Sequence, residues 1–154
     1  MTSANFEKAL VALSNRKFFK NISISRGIER EALRSSLNGV ISKTVHPKSL
    51  GSALTNPFIT TDFAEALIEM VTPTFDTVEG LHSFLENLDF FVKENLNDEI
   101  LWNASMPCEL GDEKQIQIAE YGVSNTGRLK NIYRRGLRER YGSAMQCVSG
   151  IHYN

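Results

Sequence analysis

The 154-residue sequence is poor in several features that would decide its class early. Cysteine is scarce: Cys108 and Cys147 are the only two, without metal-ligand spacing and too few for a disulfide framework, which fits a reducing cytoplasm. Neither sign of charge prevails, since 17 Lys and Arg against 18 Asp and Glu leave a net charge of −1. That balance implies no special attraction to nucleic acid or to anionic membranes. No apolar run approaches the ~20 residues of a membrane span. The N-terminal "MTSANFEKALVALSNRK" is interrupted by Glu7 and Lys8, so it reads as an amphipathic helix and not as a secretion signal. There is no GxxxxGK loop and no GxGxxG, so a nucleotide site would have to be built without either. What remains is a single domain, long enough to bury a core, with ordinary apolar (42%) and charged (23%) content.

Periodicity supplies the elements. Residues 5–15 predict a helix with Phe6, Leu10 and Leu13 on one side, and 22–34 a strand that ends near a turn at Asn38-Gly39. The stretch 41–61 is loop-rich, with His46-Pro47 and Asn56-Pro57 each forcing extended backbone. Asp62 with Glu65 suggests a turn or helical start, followed by a strand through Glu69. The clearest helix is 77–96, capped by Asp76 with Glu79 and carrying Val78, Leu81, Leu85, Leu88, Val92 and Leu96 at helical spacing. "EILWNASMPC" and "KQIQIAEYG" read as loop and short strand. Ser124 caps a basic helix whose apolar side is Leu129, Ile132, Tyr133 and Leu137. The final "MQCVSGIHYN" alternates as a strand, with Gln146, Val148, Gly150, His152 and Asn154 on one face.

The chemistry-bearing residues are acids. In "SISRGIEREALR", Ser23 to Arg34, a helix would turn Glu29 and Glu31 to nearly opposite sides. A strand puts Gly27, Glu29 and Glu31 on one face and Ile28 and Arg30 on the other. With Asp62 and Glu69, three segments then offer hard oxygen donors of the kind Mg²⁺ takes. The competing account pairs Glu29 and Glu31 with Arg26, Arg30 and Arg34 on a solvated strand and leaves Asp62 as a cap. His152 is a further ligand candidate or a surface histidine. The arginines of 124–140 are a phosphate-binding surface or the wet side of an amphipathic helix.

Five motifs taken together narrow this. "RGIERE", "HPKSLGSALTNPFITTDFAEALIEMVTP", "LWNASMPC", "YGVSNTGRLKNIYRRGLRERYG" and "MQCVSGIHYN" resemble, in order and spacing, the N-terminal part of the proteobacterial glutamate–cysteine ligases, from about residue 22 to the end. The resemblance implies an α+β, glutamine-synthetase-like antiparallel sheet with flanking helices, incomplete in this chain, so that residues 1–154 form the N-terminal part of one catalytic domain. It implies ATP-dependent ligation of the γ-carboxylate of L-glutamate to the amine of L-cysteine through a γ-glutamyl phosphate, the first step of glutathione synthesis, in the cytoplasm. Mg²⁺ is the implied cofactor, held by Glu29, Glu31, Asp62, Glu69 and His152. Tyr133, Arg134, Gln146, Val148 and Asn154 match positions that line the substrate pocket.

The implied partners are glutamate, cysteine, ATP and the C-terminal remainder of the same enzyme, with neither nucleic acid nor membrane. Asn103 and Glu120 depart from the family's usual Pro and Gln without touching a proposed ligand. A sheet ending at Asn154 is expected to leave unpaired edges and to be inactive alone. A non-catalytic remnant of a ligase, and a nucleic-acid module using 124–140, stay open as alternatives.

Overall fold

Strand β1 (Ile28–Ser36) organises the molecule, and its burial changes halfway along. Residues 28–31 are partly open, whereas Ala32, Leu33, Arg34 and Ser35 are closed from solvent. The computed structural model describes residues 3–14 and 22–154. Within them, β1 is the centre of a five-stranded antiparallel sheet containing β2 (Ile59–Thr61), β3 (Leu67–Val71), β4 (Glu99–Trp102) and β5 (Ile151–Tyr153). The order is β2-β3-β1-β4. The edge of β1 away from β3 is shared: β5 pairs with its first residues and β4 with its last.

Register divides the sheet into two faces. Pairing Arg30 with Met70 and Ala32 with Ile68 turns those four toward helix α2 (Val78–Glu94), whose Leu88 and Val92 complete an apolar cluster with Ile59, Leu96 and Leu101. Each fully buried side chain here contributes about 1.5–3 kcal/mol relative to exposure. Pairing Glu31 with Glu69 and Leu33 with Leu67 turns those residues to the opposite face. Its closed end is a second cluster of Leu33, Phe63, Leu67, Ile116, Cys108 and Cys147. Its open end carries the acids.

Several elements differ from the sequence reading. β1 begins at Ile28; before it, Arg26 makes an isolated bridge to Phe75 and Gly27 exchanges backbone hydrogen bonds with Asn154. The residues after Asp62 form a tight turn with no helix, closed by Asp62 N–H donating to the Leu67 carbonyl (3.0 Å). Thr77, and not Asp76, caps α2, its hydroxyl accepting from Gly80 N–H. "EILW" is a strand, whereas 114–122 contributes only the bridge of Ile118 to Ala64. Of the last ten residues only 151–153 are strand, and Met145–Cys147 is a single 3₁₀ turn. In helix α1 (Ser3–Ser14), residues 4–14 are exposed, Phe6, Leu10 and Leu13 included; residue 15 lies outside the described residues.

The largest departure is helix α3 (Asn125–Tyr141), capped by Ser124 as expected. Its apolar residues Leu129, Ile132 and Tyr133 face solvent, Leu137 packs as expected against the Leu33–Phe63–Cys147 cluster, and Gly127 and Asn131 are its buried residues. The rest of the docking depends on hydrogen bonds and close backbone approach. Asn131 donates to the Ala119 carbonyl (3.1 Å) and to Glu120 Oε1 (3.0 Å). A Cβ at Gly127 would lie 2.4 Å from the Tyr121 carbonyl oxygen. Alanine normally stabilises a helix interior over glycine, and Gly136, whose nearest neighbour is a flexible Arg140 tip at 3.7 Å, provides the control. Gly136→Ala is expected to raise stability by about 0.5–1 kcal/mol, whereas Gly127→Ala lowers it by about 1–3 kcal/mol. Denaturant midpoints of the two variants check this, and equal midpoints would contradict the close docking.

Candidate functional site

Three acids of the open face are assembled by register, and Asp62 joins them from the turn after β2. Because β1 and β3 are antiparallel, Glu31 stands opposite Glu69; because β1 and β5 are antiparallel, Glu29 stands opposite His152. His152 Nδ1 is 3.3 Å from Glu29 Oε2, and Asn154 Nδ2 donates to Glu29 Oε1 at 3.2 Å. Glu31 Oε2 accepts the Gly150 N–H at 2.7 Å. Gly150 also keeps this corner open, since a Cβ there would sit 2.8 Å from His152 Nε2 and 3.4 Å from Glu31 Oε2.

The competing account, in which neighbouring arginines neutralise these acids, fails on geometry. Arg30 points to the other face, bonding Asp89 and Asn103. Arg34 is fully buried and bonds Glu99 Oε2 (2.7 Å), the Thr44 carbonyl (2.8 Å) and the Glu65 carbonyl (3.1 Å). Arg26 donates to the Asp76 carbonyl (2.7 Å) and the Tyr153 hydroxyl (3.2 Å). None of the three touches Glu29 or Glu31.

The cation that does face the cluster comes from α3. Arg134 donates through Nε to the Asp62 carbonyl, and its Nη2 lies 3.9 Å from the Asp62 carboxylate. The balance stays acidic. Burial, and then the charges of Asp62, Glu29 and Glu31, push the Glu69 carboxyl from 4.5 up to about 7, against the opposing pull of Arg134. Glu31 is raised as well, by burial first and by Asp62 and Glu29, while the Gly150 N–H and His152 pull it down. Half-buried carboxylates that hold protons this tightly lack a counter-charge.

Asp62, Glu69, Glu29 and Glu31 offer oxygen donors of the type, and the excess negative charge, that a hard divalent cation requires. Among the described residues no three His, Cys, Asp or Glu side chains form a ready-made metal cage. The donors are gathered on one face, with the Glu29 and Glu31 carboxylates turned to protein partners. The face is also open surface. Neither of the two foremost clefts, about 440 Å³ beside Glu65, Asn131 and Arg135 and about 640 Å³ beside Glu113, Arg138 and Ser143, includes any of the four acids.

Of the sequence candidates, Glu29, Glu31, Asp62, Glu69, His152, Arg134 and Asn154 thus come together. Tyr133 is exposed beside Arg134 on α3, Val148 is exposed before β5, and Gln146 lies in the 3₁₀ turn; none of these side chains bonds the cluster among the described residues. Sequence reasoning gave no role to Gly150 or to Tyr121, whose hydroxyl holds the Asp62 turn. Only the tertiary pairing reveals either.

With the carboxyl of Glu69 raised, the sign of its pH dependence follows. A group whose folded pKa exceeds its unfolded value contributes stability fully below the unfolded value and loses it as pH rises through the folded one. In protein stripped of divalent ions, Glu69→Gln is expected to melt with the native protein near pH 4.5 and above it beyond about pH 7. Thermal melts in chelator across that window check this, and a pH-independent gap would contradict the raised proton affinity.

Known proteins with the same architecture give this face a context. The family model for glutamate–cysteine ligase matches residues 8–154. A crystal structure of glutamate–cysteine ligase from Francisella tularensis in complex with AMP is 45% identical with a TM-score of 0.81, over 84% of this chain and 26% of that one. A bifunctional glutathione synthetase from Pasteurella multocida is 34% identical with a TM-score of 0.75, over 84% of this chain and 16% of its own. The chain thus spans about a quarter of the ligase it matches.

Proposed function

The chain belongs to the glutamate–cysteine ligase family, and from that premise we propose that its acid face is the metal-holding part of an ATP-dependent γ-glutamyl ligation site. The observation that carries this reading is the convergence of Glu29, Glu31, Glu69 and Asp62 on one face, opposed among the described residues by Arg134 and by His152 at the rim. In this reading residues 1–154 are part of one catalytic domain, completed by further sequence of a ligase-length chain. The solvent-facing Leu129, Ile132 and Tyr133 of α3 are a surface for that sequence to cover. Among the described residues no helix is long and apolar enough to cross a membrane.

The reaction joins the γ-carboxylate of L-glutamate to the amine of L-cysteine. A γ-carboxylate oxygen attacks the γ-phosphorus of ATP and expels ADP, giving a γ-glutamyl phosphate. The deprotonated amine of cysteine then attacks the acyl carbon, and the C–O bond to phosphate breaks. Phosphoryl transfer asks a protein mainly for positioning and for neutralising charge on the transferring oxygens. Glu29, Glu31, Asp62 and Glu69, with His152 at the rim, would hold Mg²⁺, which when bound neutralises the phosphate oxygens that carboxylates alone would repel. Arg134 supplies a fixed positive charge beside Asp62 for an anionic substrate group. Asn154 and His152 hold the Glu29 carboxylate in place. Tyr133, Gln146 and Val148 belong to the substrate pocket in this reading, on a surface that becomes enclosed once the domain is complete.

Two experiments on the full-length gene product test this. Ligation of glutamate carrying ¹⁸O in its γ-carboxylate is expected to place one labelled oxygen in the released phosphate; unlabelled phosphate would rule out the acyl phosphate. Glu29→Gln and Glu69→Gln are each expected to lower turnover at limiting Mg²⁺ by about 10–100-fold while keeping a native circular-dichroism spectrum. Native activity at limiting Mg²⁺ in either variant would remove that residue from the metal site.

A further inference from the structure

The segment 116–121 runs beside the turn at 61–65. Ala119 N–H donates to the Phe63 carbonyl (2.9 Å), Glu65 N–H to the Gln117 carbonyl (2.9 Å), and Glu120 N–H to Glu65 Oε2 (2.8 Å). This anchored segment ends at Tyr121, which is 5% exposed. The phenol hydroxyl reaches back to the turn and lies 2.6 Å from the Thr61 carbonyl oxygen and 3.0 Å from that of Asp62. Burial lifts the phenol above its ordinary range, which keeps it a donor. The Arg134 guanidinium lies over the ring, 4.8 Å from its centroid, with the Lys130 ammonium at 4.9 Å. Arg134 Nε donates to the same Asp62 carbonyl.

The one phenol proton goes to the nearer Thr61 carbonyl, in the peptide link that leads into Asp62, while the Asp62 carbonyl accepts from Arg134 Nε. Asp62 and Arg134 are coupled through that second carbonyl, and Tyr121 touches both partners. The backbone of Tyr121 is in turn fixed against α3, because Gly127 alone has room for its carbonyl. A tyrosine serving only to fill space would be replaced by phenylalanine without consequence.

We propose that Tyr121 is the positioning residue that sets Arg134 and Asp62 against the carboxylate face. The assignment deepens the ligase reading and rests on it, since Arg134 and Asp62 matter to catalysis only if that face is the site. Through its hydroxyl Tyr121 fixes where the turn presents the Asp62 carboxylate, and through its ring it fixes where the guanidinium stands.

A double-mutant cycle in the full-length protein separates this role from simple stability. Tyr121→Leu is expected to raise the glutamate KM and the Mg²⁺ concentration for half-maximal activity by roughly 10-fold, within the range of couplings between contacting residues. In an Arg134→Ala background the same substitution is expected to change the glutamate KM by less than about twofold, while the Mg²⁺ requirement, set through the hydroxyl and Asp62, still rises. Equal KM factors in the two backgrounds would overturn the proposal. Tyr121→Phe keeps the ring and the fold, so a raised Mg²⁺ requirement with a melting temperature close to native supports the role of the hydroxyl. Native behaviour of that variant would refute it. If the native protein ligates nothing, the ligase reading fails. The same cycle read in melting temperature then decides the positioning role, with non-additive losses supporting it and additive losses contradicting it.

Discussion

Like charges placed directly opposite each other across an antiparallel pair are destabilising, yet Glu31 and Glu69 are paired in this way at the centre of the sheet. Around that repulsion the remaining structure is arranged. Register leaves no freedom: a slip of β1 by one residue would move Glu31 to the α2 face and bring Ala32 out of the core, and a slip of β3 would do the same to Glu69 and Ile68. The packing of Ala32, Ile68, Met70 and Val92 therefore enforces the proximity of the acids. Hydrophobic burial on one face sustains charge crowding on the other.

The charged residues of β1 show how the crowding escapes neutralisation by its own strand. Arg30 and Arg34 alternate with Glu29, Glu31 and Leu33, so strand geometry sends them to the opposite side. There Asp89 and Glu99 hold them. Burying Arg34 entirely is tolerable because its guanidinium meets a carboxylate, two carbonyls and a hydroxyl. Among the described residues the cation admitted to the acid face is Arg134, which arrives from α3 and reaches Asp62 because that helix docks by Gly127, Asn131 and Leu137 and not by Leu129 and Ile132.

Much of this was legible in the sequence, for identifiable reasons. Period two put Glu29 and Glu31 on one face, and β1 keeps them there. Ser124 and the long apolar repeat of 77–96 located two helices. The motif resemblance pointed to the family that the family model and the solved structures support. What was not legible depends on partners distant in sequence. The outward turn of Leu129 and Ile132 reverses the amphipathic rule, and only the contact of Gly127 with the Tyr121 carbonyl explains it. "EILW" pairs as a strand because β1 offers it a free edge beyond β5, which no local pattern encodes. The basic helix could be read as a phosphate surface or as the wet side of an amphipathic helix, and no local pattern shows that Lys130 and Arg134 lie over Tyr121 and Arg140 over Tyr141.

The central claim is that the crowded carboxylates are a place prepared for divalent cations. Its most direct test is anomalous diffraction from crystals of the full-length protein grown with Mn²⁺ and a non-hydrolysable ATP analogue. The account predicts anomalous peaks within coordination distance of the Glu29, Glu31 and Glu69 carboxylates, with the phosphate chain on the same face. Peaks lying elsewhere, with Glu29 still bonded to His152 and Asn154 and Glu31 still bonded to Gly150, would contradict it.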